Sequence, residues 1–401
     1  MTTRQNGIAV IVCAFLISVF FGLYITGNSG TAFSKPPLAM WDVRDGLHND
    51  NESTSWRERF PHLPTCSKTD APEVKLLIVT YMRSGSTFTG DLFDQHPDVF
   101  YVYEPLHAVE KSIVMTRQTA RFWDKPSVKV DTANKTAIEK LEDGIVGGYL
   151  NCNFQNIDIT TLEDPFMKFG QKTEQFGRCR GQNKGVIGTF RCLPGLQRSC
   201  CRAKVVASKT IRYTMTRALT LMANDAKVKV IHLVRDPRAT MLSREKYGKV
   251  DRRSVEKHCV QFCQAVRTDL QIGREAMTRF PDRILRVRYE DFASHPTRFA
   301  EMLLRFAGLE MTAKQREHLR QITSGPNHQC ATCIRLLNTN SSYNAFSWRR
   351  GINLDDVKMI DKQCEGVYPL AGYLPLPLAS SVRNLSLPSL MEPAQVPGFL
   401  S

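Results

Sequence analysis

The chain has 401 residues, 42% hydrophobic and 23% charged, a balance that excludes a disordered chain and allows most of the length to fold around a core. Its formal charge of +15 says nothing of fold. It favours polyanionic partners, namely nucleic acid, anionic lipid, phosphorylated cofactors or acidic glycans. The basic residues are scattered rather than gathered into an arm, which weighs against nucleic acid.

Ile8 to Ile25 form an uncharged apolar run. As a helix rising about 1.5 Å per residue it spans ~27 Å, enough for a bilayer core. It exceeds the roughly 7–15 apolar residues of a cleaved signal peptide, although Thr26, Gly27, Ser29 and Gly30 imitate a cleavage site. The expectation is a transmembrane signal anchor over 8–26. Arg4 precedes it and the next basic residue is Lys35, so residues 1–7 are a cytosolic tail and the rest is luminal. Asn-x-Ser/Thr triplets at Asn51, Asn134, Asn340 and Asn384 agree with that side. So do the cysteines: of 12, Cys13 lies in the anchor, and the odd remainder should mostly pair in an oxidising lumen, leaving at least one free or intermolecular. Cys330 and Cys333 have no second CxxC to complete a zinc site, so a disulfide role is expected.

Residues 27–73 are polar and punctuated by Pro36, Pro37, Pro61 and Pro64, the composition of a stem. A folded body follows over 74–378. Residues 74–81 read as a buried parallel strand, about 87–95 as a helix and 99–103 as a second strand. Residues 105–200 have weak periodicity and read as insertions around the core. Strands are expected at 204–209, 228–234 and 284–288, and helices at about 213–224, 254–279 and 297–308. This alternation implies an α/β fold, a parallel sheet flanked by helices. Residues 379–401, rich in Pro and Ser, read as a loose tail.

Two motifs carry chemistry. Arg83-Ser84-Gly85-Ser86-Thr87-Phe88 stands between the first strand and the first helix, where free backbone N–H groups and the positive end of the helix dipole attract an anion. Gly85 permits close backbone approach, Ser86 and Thr87 can cap the helix and donate to phosphate oxygens, and Arg83 can bridge oxyanions. The segment is not a Walker A loop, because no Lys follows Gly85. The strand 228–234 ends in Arg235-Asp236-Pro237-Arg238-Ala239, with Ser243 beyond. A guanidinium at a strand's C-terminal end points into the crevice where such folds bind ligands.

Together, these motifs resemble the Golgi carbohydrate sulfotransferases, above all the branch that sulfates the 6-hydroxyl of galactose, N-acetylgalactosamine or N-acetylglucosamine in keratan- or chondroitin-type glycans. Phe100-Tyr-Val-Tyr-Glu104-Pro105-Leu-His107, Val287-Arg-Tyr289-Glu290-Asp291-Phe292, Trp348-Arg349 and Cys364 to Tyr373 extend the resemblance over most of 74–375. Thr87 stands where a second Ser is commoner, and Thr89 where an aromatic is. The resemblance implies a P-loop-like fold, a luminal catalytic domain on a type II Golgi membrane protein, and sulfuryl transfer from PAPS (3′-phosphoadenosine 5′-phosphosulfate) without a metal. Arg83 to Phe88 would hold the 5′-phosphosulfate. Arg235 and Ser243, with the intervening Asp236, Pro237 and Arg238, would hold the 3′-phosphate.

Glu104 is the first choice for general base, with His107 second. Arg83 and Lys209 are expected to meet charge on the sulfuryl oxygens, and Trp348-Arg349 to close over nucleotide or glycan. Tyr289-Glu290-Asp291 reads as structural. The expected acceptor is an acidic or sulfated glycan, and a homodimer is left open. An inactive membrane-anchored glycan-binding protein is the alternative, against which the intact motifs argue. A kinase or other NTPase would need the missing Walker Lys and a magnesium carboxylate.

Overall fold

The computed structural model describes residues 60, 62–63, 65–67, 70–123, 126–325, 340–396 and 398–399. The expected anchor over 8–26, most of the stem, Asn51, Cys330 and Cys333 lie outside the described residues.

Five apolar runs pair into one wholly parallel sheet: β1 (Val74–Val79), β2 (Val99–Tyr103), β3 (Val205–Thr210), β4 (Val228–Val234) and β5 (Ile284–Arg288), in the order β2-β3-β1-β4-β5. Successive side chains alternate between faces. Leu77, Val79, Phe100, Val102 and Val206 join one core, and Leu76, Ile78, Tyr101, Val205 and Ala207 another. Both faces are buried, and that is why the strands read as continuous apolar runs.

The flanking helices are α1 (Ser86–Asp94), α2 (Lys135–Leu150), α3 (Gln171–Gln182), α4 (Gly185–Cys201), α5 (Met215–Asn224), α6 (Pro237–Lys246), α7 (Val255–Arg279), α8 (Tyr289–Ser294), α9 (Pro296–Phe306) and α10 (Ala313–Thr323). Helices α2, α4 and α5 cover the first face, and α1, α9 and α10 the second. The chain leaves β1 toward β2 on one side and later reaches β4 on the other. The sheet therefore has a switch point at the C-terminal end of β1, where such sheets open a ligand crevice.

The weakly periodic stretch 105–200 contains α2, α3 and most of α4, joined by Cys152–Cys200 and Cys179–Cys192, while Cys66–Cys201 ties α4 to the segment before β1. Cys263–Cys364 fastens α7 to the C-terminal region. Cys259 is a buried free thiol, one helical turn from Cys263.

The C-terminal segment is packed, not loose. Val382, Val396 and Phe399 are buried, and Arg349, only 2% exposed, explains how. Its guanidinium donates to the carbonyls of Val382 (2.9 Å), Leu387 (2.8 Å), Ser381 (2.7 Å) and Asn384 (2.7 Å). Arg288 likewise reaches the Met391 carbonyl at 2.8 Å. Pro- and Ser-rich sequence has no periodicity to reveal such docking, because its anchors are main-chain carbonyls. The same geometry corrects the expected role of Trp348-Arg349. Trp348 is buried against the Arg238 guanidinium, 4.7 Å from ring centroid to carbon, so both side chains are taken up in packing.

Arg349→Ala should therefore leave buried carbonyls without partners and lower unfolding free energy by about 3 kcal/mol, read from urea unfolding, with faster proteolysis within 379–401.

Candidate active site

Because β1 and β4 are hydrogen-bonded parallel neighbours, the loops that follow them lie side by side. After β1 the backbone turns through left-handed conformations at Arg83 (φ 69°) and Gly85 (φ 83°) before α1 starts. Gly85 is the N-cap, and no side chain caps the helix, so the capping role expected of Ser86 and Thr87 is not taken up. The first-turn N–H groups are left to an anion. A Cβ on Gly85 would fall 2.1 Å from the Tyr289 ring, so only glycine fits this cradle. The Ser84 hydroxyl is buried and has no partner. Phe88 points into the core against Phe292, at 4.4 Å between ring centres.

Arg235, 152 residues from Arg83, donates from Nη1 to the Arg83 carbonyl at 3.0 Å. Arg83 in turn donates from Nε to Ser243 Oγ at 3.0 Å. Each guanidinium rests on an aromatic face: Arg83 over Tyr247 at 4.2 Å and Arg235 over Tyr289 at 4.7 Å. Arg244, next to Ser243, donates to the Met82 carbonyl at 3.2 Å and fastens the loop to α6. Among the described residues neither Arg83 nor Arg235 has a carboxylate partner, and the Arg235 Nε–H is buried without an acceptor. Burial, with some contribution from neighbouring Arg235, holds the Arg83 pKa below its ordinary value.

The residues between Arg235 and Ser243 behave differently from expectation. Asp236 caps α6 by accepting from Arg238 N at 2.9 Å, and Pro237 occupies the first helical turn. Arg238 is fully buried and returns to Asp236, with Nη2 2.9 Å from Oδ2. Asp236, Pro237 and Arg238 therefore shape the turn that presents Arg235, and their polar groups are spent on one another and on the helix start. Their local chemistry, a helix cap closed by its own arginine, is stronger than any outward role.

A second cluster forms one strand over. Tyr103 of β2 is in register with Lys209 of β3, so the residue after Tyr103 meets the end of β3. That residue is Glu104, 4% exposed and itself at positive φ (49°). Lys209 Nζ stands 2.7 Å from Glu104 Oε1, Arg212 Nη1 donates to Oε2 at 2.8 Å, and Ile211 N–H donates to Oε2 at 3.3 Å. A carboxylate offers about four lone-pair sites, so one remains open. Lys209 Nζ also lies 3.8 Å from the centre of the Tyr103 ring. His107 is turned away, with Nδ1 2.8 Å from Asp164 Oδ2 and its ring stacked on Phe166 at 3.7 Å.

Sequence reasoning gave Arg212, Tyr247 and Asp164 no role. Arg212 follows the Lys209 strand end and Tyr247 stands one helical turn beyond Ser243, so both carried a positional signal. Asp164 carried none.

A family model described as the sulfotransferase family matches residues 76–313. The chain is similar to carbohydrate sulfotransferase 3 of Tetronarce californica, 25% identical over 378 residues covering 84% of this chain and 81% of that one. It is also similar to human carbohydrate sulfotransferase 5, 28% identical over 353 residues covering 78% and 81%. Among solved structures, a mouse sulfotransferase complexed with PAP matches over 73% of this chain and 84% of its own, with 12% identity and a TM-score of 0.38.

Glu290 supplies a test of the scaffold. Its Oε1 accepts from the Asp236 N–H at 2.9 Å, and burial together with the Asp236 charge pushes its pKa up to about 7. The folded protein then holds this proton where the unfolded chain, near pH ~4.3, releases it. Its contribution to stability is present below that pH and is lost as pH rises through about 7. Glu290→Gln cannot titrate, so its unfolding free energy relative to wild type should climb between pH 5 and about 7 and then level off.

Proposed function

Since the chain belongs to the sulfotransferase family and is a sulfotransferase enzyme, we propose that it transfers a sulfuryl group from PAPS to a sugar hydroxyl. The 6-hydroxyl of galactose, N-acetylgalactosamine or N-acetylglucosamine in a keratan- or chondroitin-type glycan is the proposed acceptor. The observation that carries this reading is the knot of Arg83, Ser243 and Arg235 at the uncapped N-terminus of α1.

The residues fit a doubly phosphorylated donor. Orphaned polar atoms on Ser84 and Arg235, a glycine cradle closed to any side chain and two guanidiniums without a carboxylate partner among the described residues all call for an anion. Arg83 to Thr87 would hold the 5′-phosphosulfate, and Arg235 and Ser243 the 3′-phosphate. When bound, PAPS supplies the activated sulfuryl group and a stabilised leaving phosphate. Glu104 takes the acceptor's proton through its remaining lone pair, with both oxygens fixed by Lys209 and Arg212. Arg83 and Lys209 would place positive charge on the sulfuryl oxygens, where negative charge grows during transfer. The names of the relatives support a carbohydrate acceptor, and the disulfides suit an oxidising lumen behind a Golgi membrane anchor.

Radiolabelled PAPS with a panel of keratan, chondroitin and heparan acceptors tests this. Arg83→Ala should lower transfer about 100-fold or more. Glu104→Gln should do likewise while binding PAP within a few-fold of wild type, which shows that it is folded. Full activity in Glu104→Gln would remove Glu104 as base, and a folded protein that binds no PAP would overturn the reading.

A further inference from the structure

Beside the Glu104–Lys209 pair the second face of the sheet opens into a cleft of about 310 Å³, near the lower end of the range for ligand sites, ~300–1,000 Å³. Thr87 of the anion loop and Tyr103, over which Lys209 sits, form the end nearest that pair. The chain as a whole is strongly basic, yet this cleft is lined by Asp91, Asp94 and Glu174. Of its two basic lining residues, His318 is spent on Asp91, Nε2 to Oδ2 at 2.7 Å, and Lys168 is exposed at the rim. Aromatic rings supply the apolar wall, with Tyr103 packed edge-on against Phe169 at 5.4 Å.

A second feature of the cleft calls for a ligand. Tyr101 is 2% exposed, lines the cleft, and its hydroxyl has no hydrogen-bond partner. The chain makes room for it at Gly90, where a Cβ would stand 2.0 Å from that oxygen. A buried hydroxyl left unbonded is costly.

We propose that this cleft binds the acceptor and selects an uncharged sugar, a neutral hexose or N-acetylhexosamine, against one that already carries sulfate or carboxylate. The proposal rests on the sulfotransferase reading of the adjoining site and replaces the acidic acceptor expected from net charge. Its basis is hydrogen-bond chemistry. Carboxylates accept and do not donate, so they pair with sugar hydroxyls, whereas sulfate esters and uronates bring only further acceptors. Repulsion acts in the same direction, since Asp91, Asp94 and Glu174 share the cleft. A keratan-type backbone, uncharged before sulfation, then fits. A chondroitin backbone, with a carboxylate in each repeat, does not.

Three probes test this with the full-length enzyme: an unsulfated N-acetyllactosamine tetrasaccharide, its 6-O-sulfated form and a chondroitin tetrasaccharide. Transfer is followed with PAPS, and binding by saturation-transfer NMR with PAP present. Wild type should favour the uncharged probe at least about tenfold in kcat/KM and in binding. Glu174→Gln, at a half-buried position, and Asp94→Asn, which keeps an oxygen for the Gln171 N–H (2.9 Å), should each cut that preference about threefold or more without changing PAP affinity. The proposal is overturned if charged and uncharged probes bind alike, if no probe binds, or if both variants keep the wild-type preference. Selective binding of the uncharged probe without any transfer would uphold the cleft and contradict the enzymatic reading next to it.

Discussion

Two guanidiniums, Arg83 and Arg235, are held together at the C-terminal edge of the sheet with no carboxylate of the described residues between them. Hydrogen bonding of parallel neighbours β1 and β4 enforces this proximity, since both strands deliver their following residue to the same edge. Like charges so placed repel, and the fold offsets this with what an arginine can use besides an anion: the faces of Tyr247 and Tyr289, the Ser243 hydroxyl and a main-chain carbonyl. None of these neutralises charge. An oxyanion does, and the uncapped start of α1 lies beside it to share the load.

The same edge separates two kinds of work. On the β1–β4 side the groups are permanently cationic and suited to phosphate. On the β2–β3 side Glu104 is locked between Lys209 and Arg212, so a carboxylate and positive charge stand next to each other. Positive φ at Arg83 and Glu104 marks both loops as places where the surrounding structure imposes an unusual backbone. Further along β2 the lining turns acidic and aromatic.

The sheet was legible in the sequence because its strands are buried on both faces and appear as unbroken apolar runs. The two motif loops were legible because each follows such a run. Arg238 and Arg349 were misread for a physical reason: arginine is usually a surface residue, and nothing local shows that these two face inward to Asp236 or to the carbonyls of 381–387. Arg212 and Asp164 acquire their meaning only from strand order and from an insertion whose packing is set by disulfides, neither of which a linear motif encodes. Net charge was the weakest guide, because it counts buried arginines such as Arg238, Arg286, Arg288 and Arg349 with the exposed ones.

The pairing of Arg83 with Arg235 is tested most directly by calorimetric titration of the full-length protein with PAP and with 5′-AMP, which lacks the 3′-phosphate. If the two guanidiniums divide the two phosphates between them, PAP binds about 100-fold more tightly, worth ~2.7 kcal/mol, and Arg235→Ala removes most of that advantage. Equal affinity for the two nucleotides, or an advantage that survives in Arg235→Ala, would contradict it.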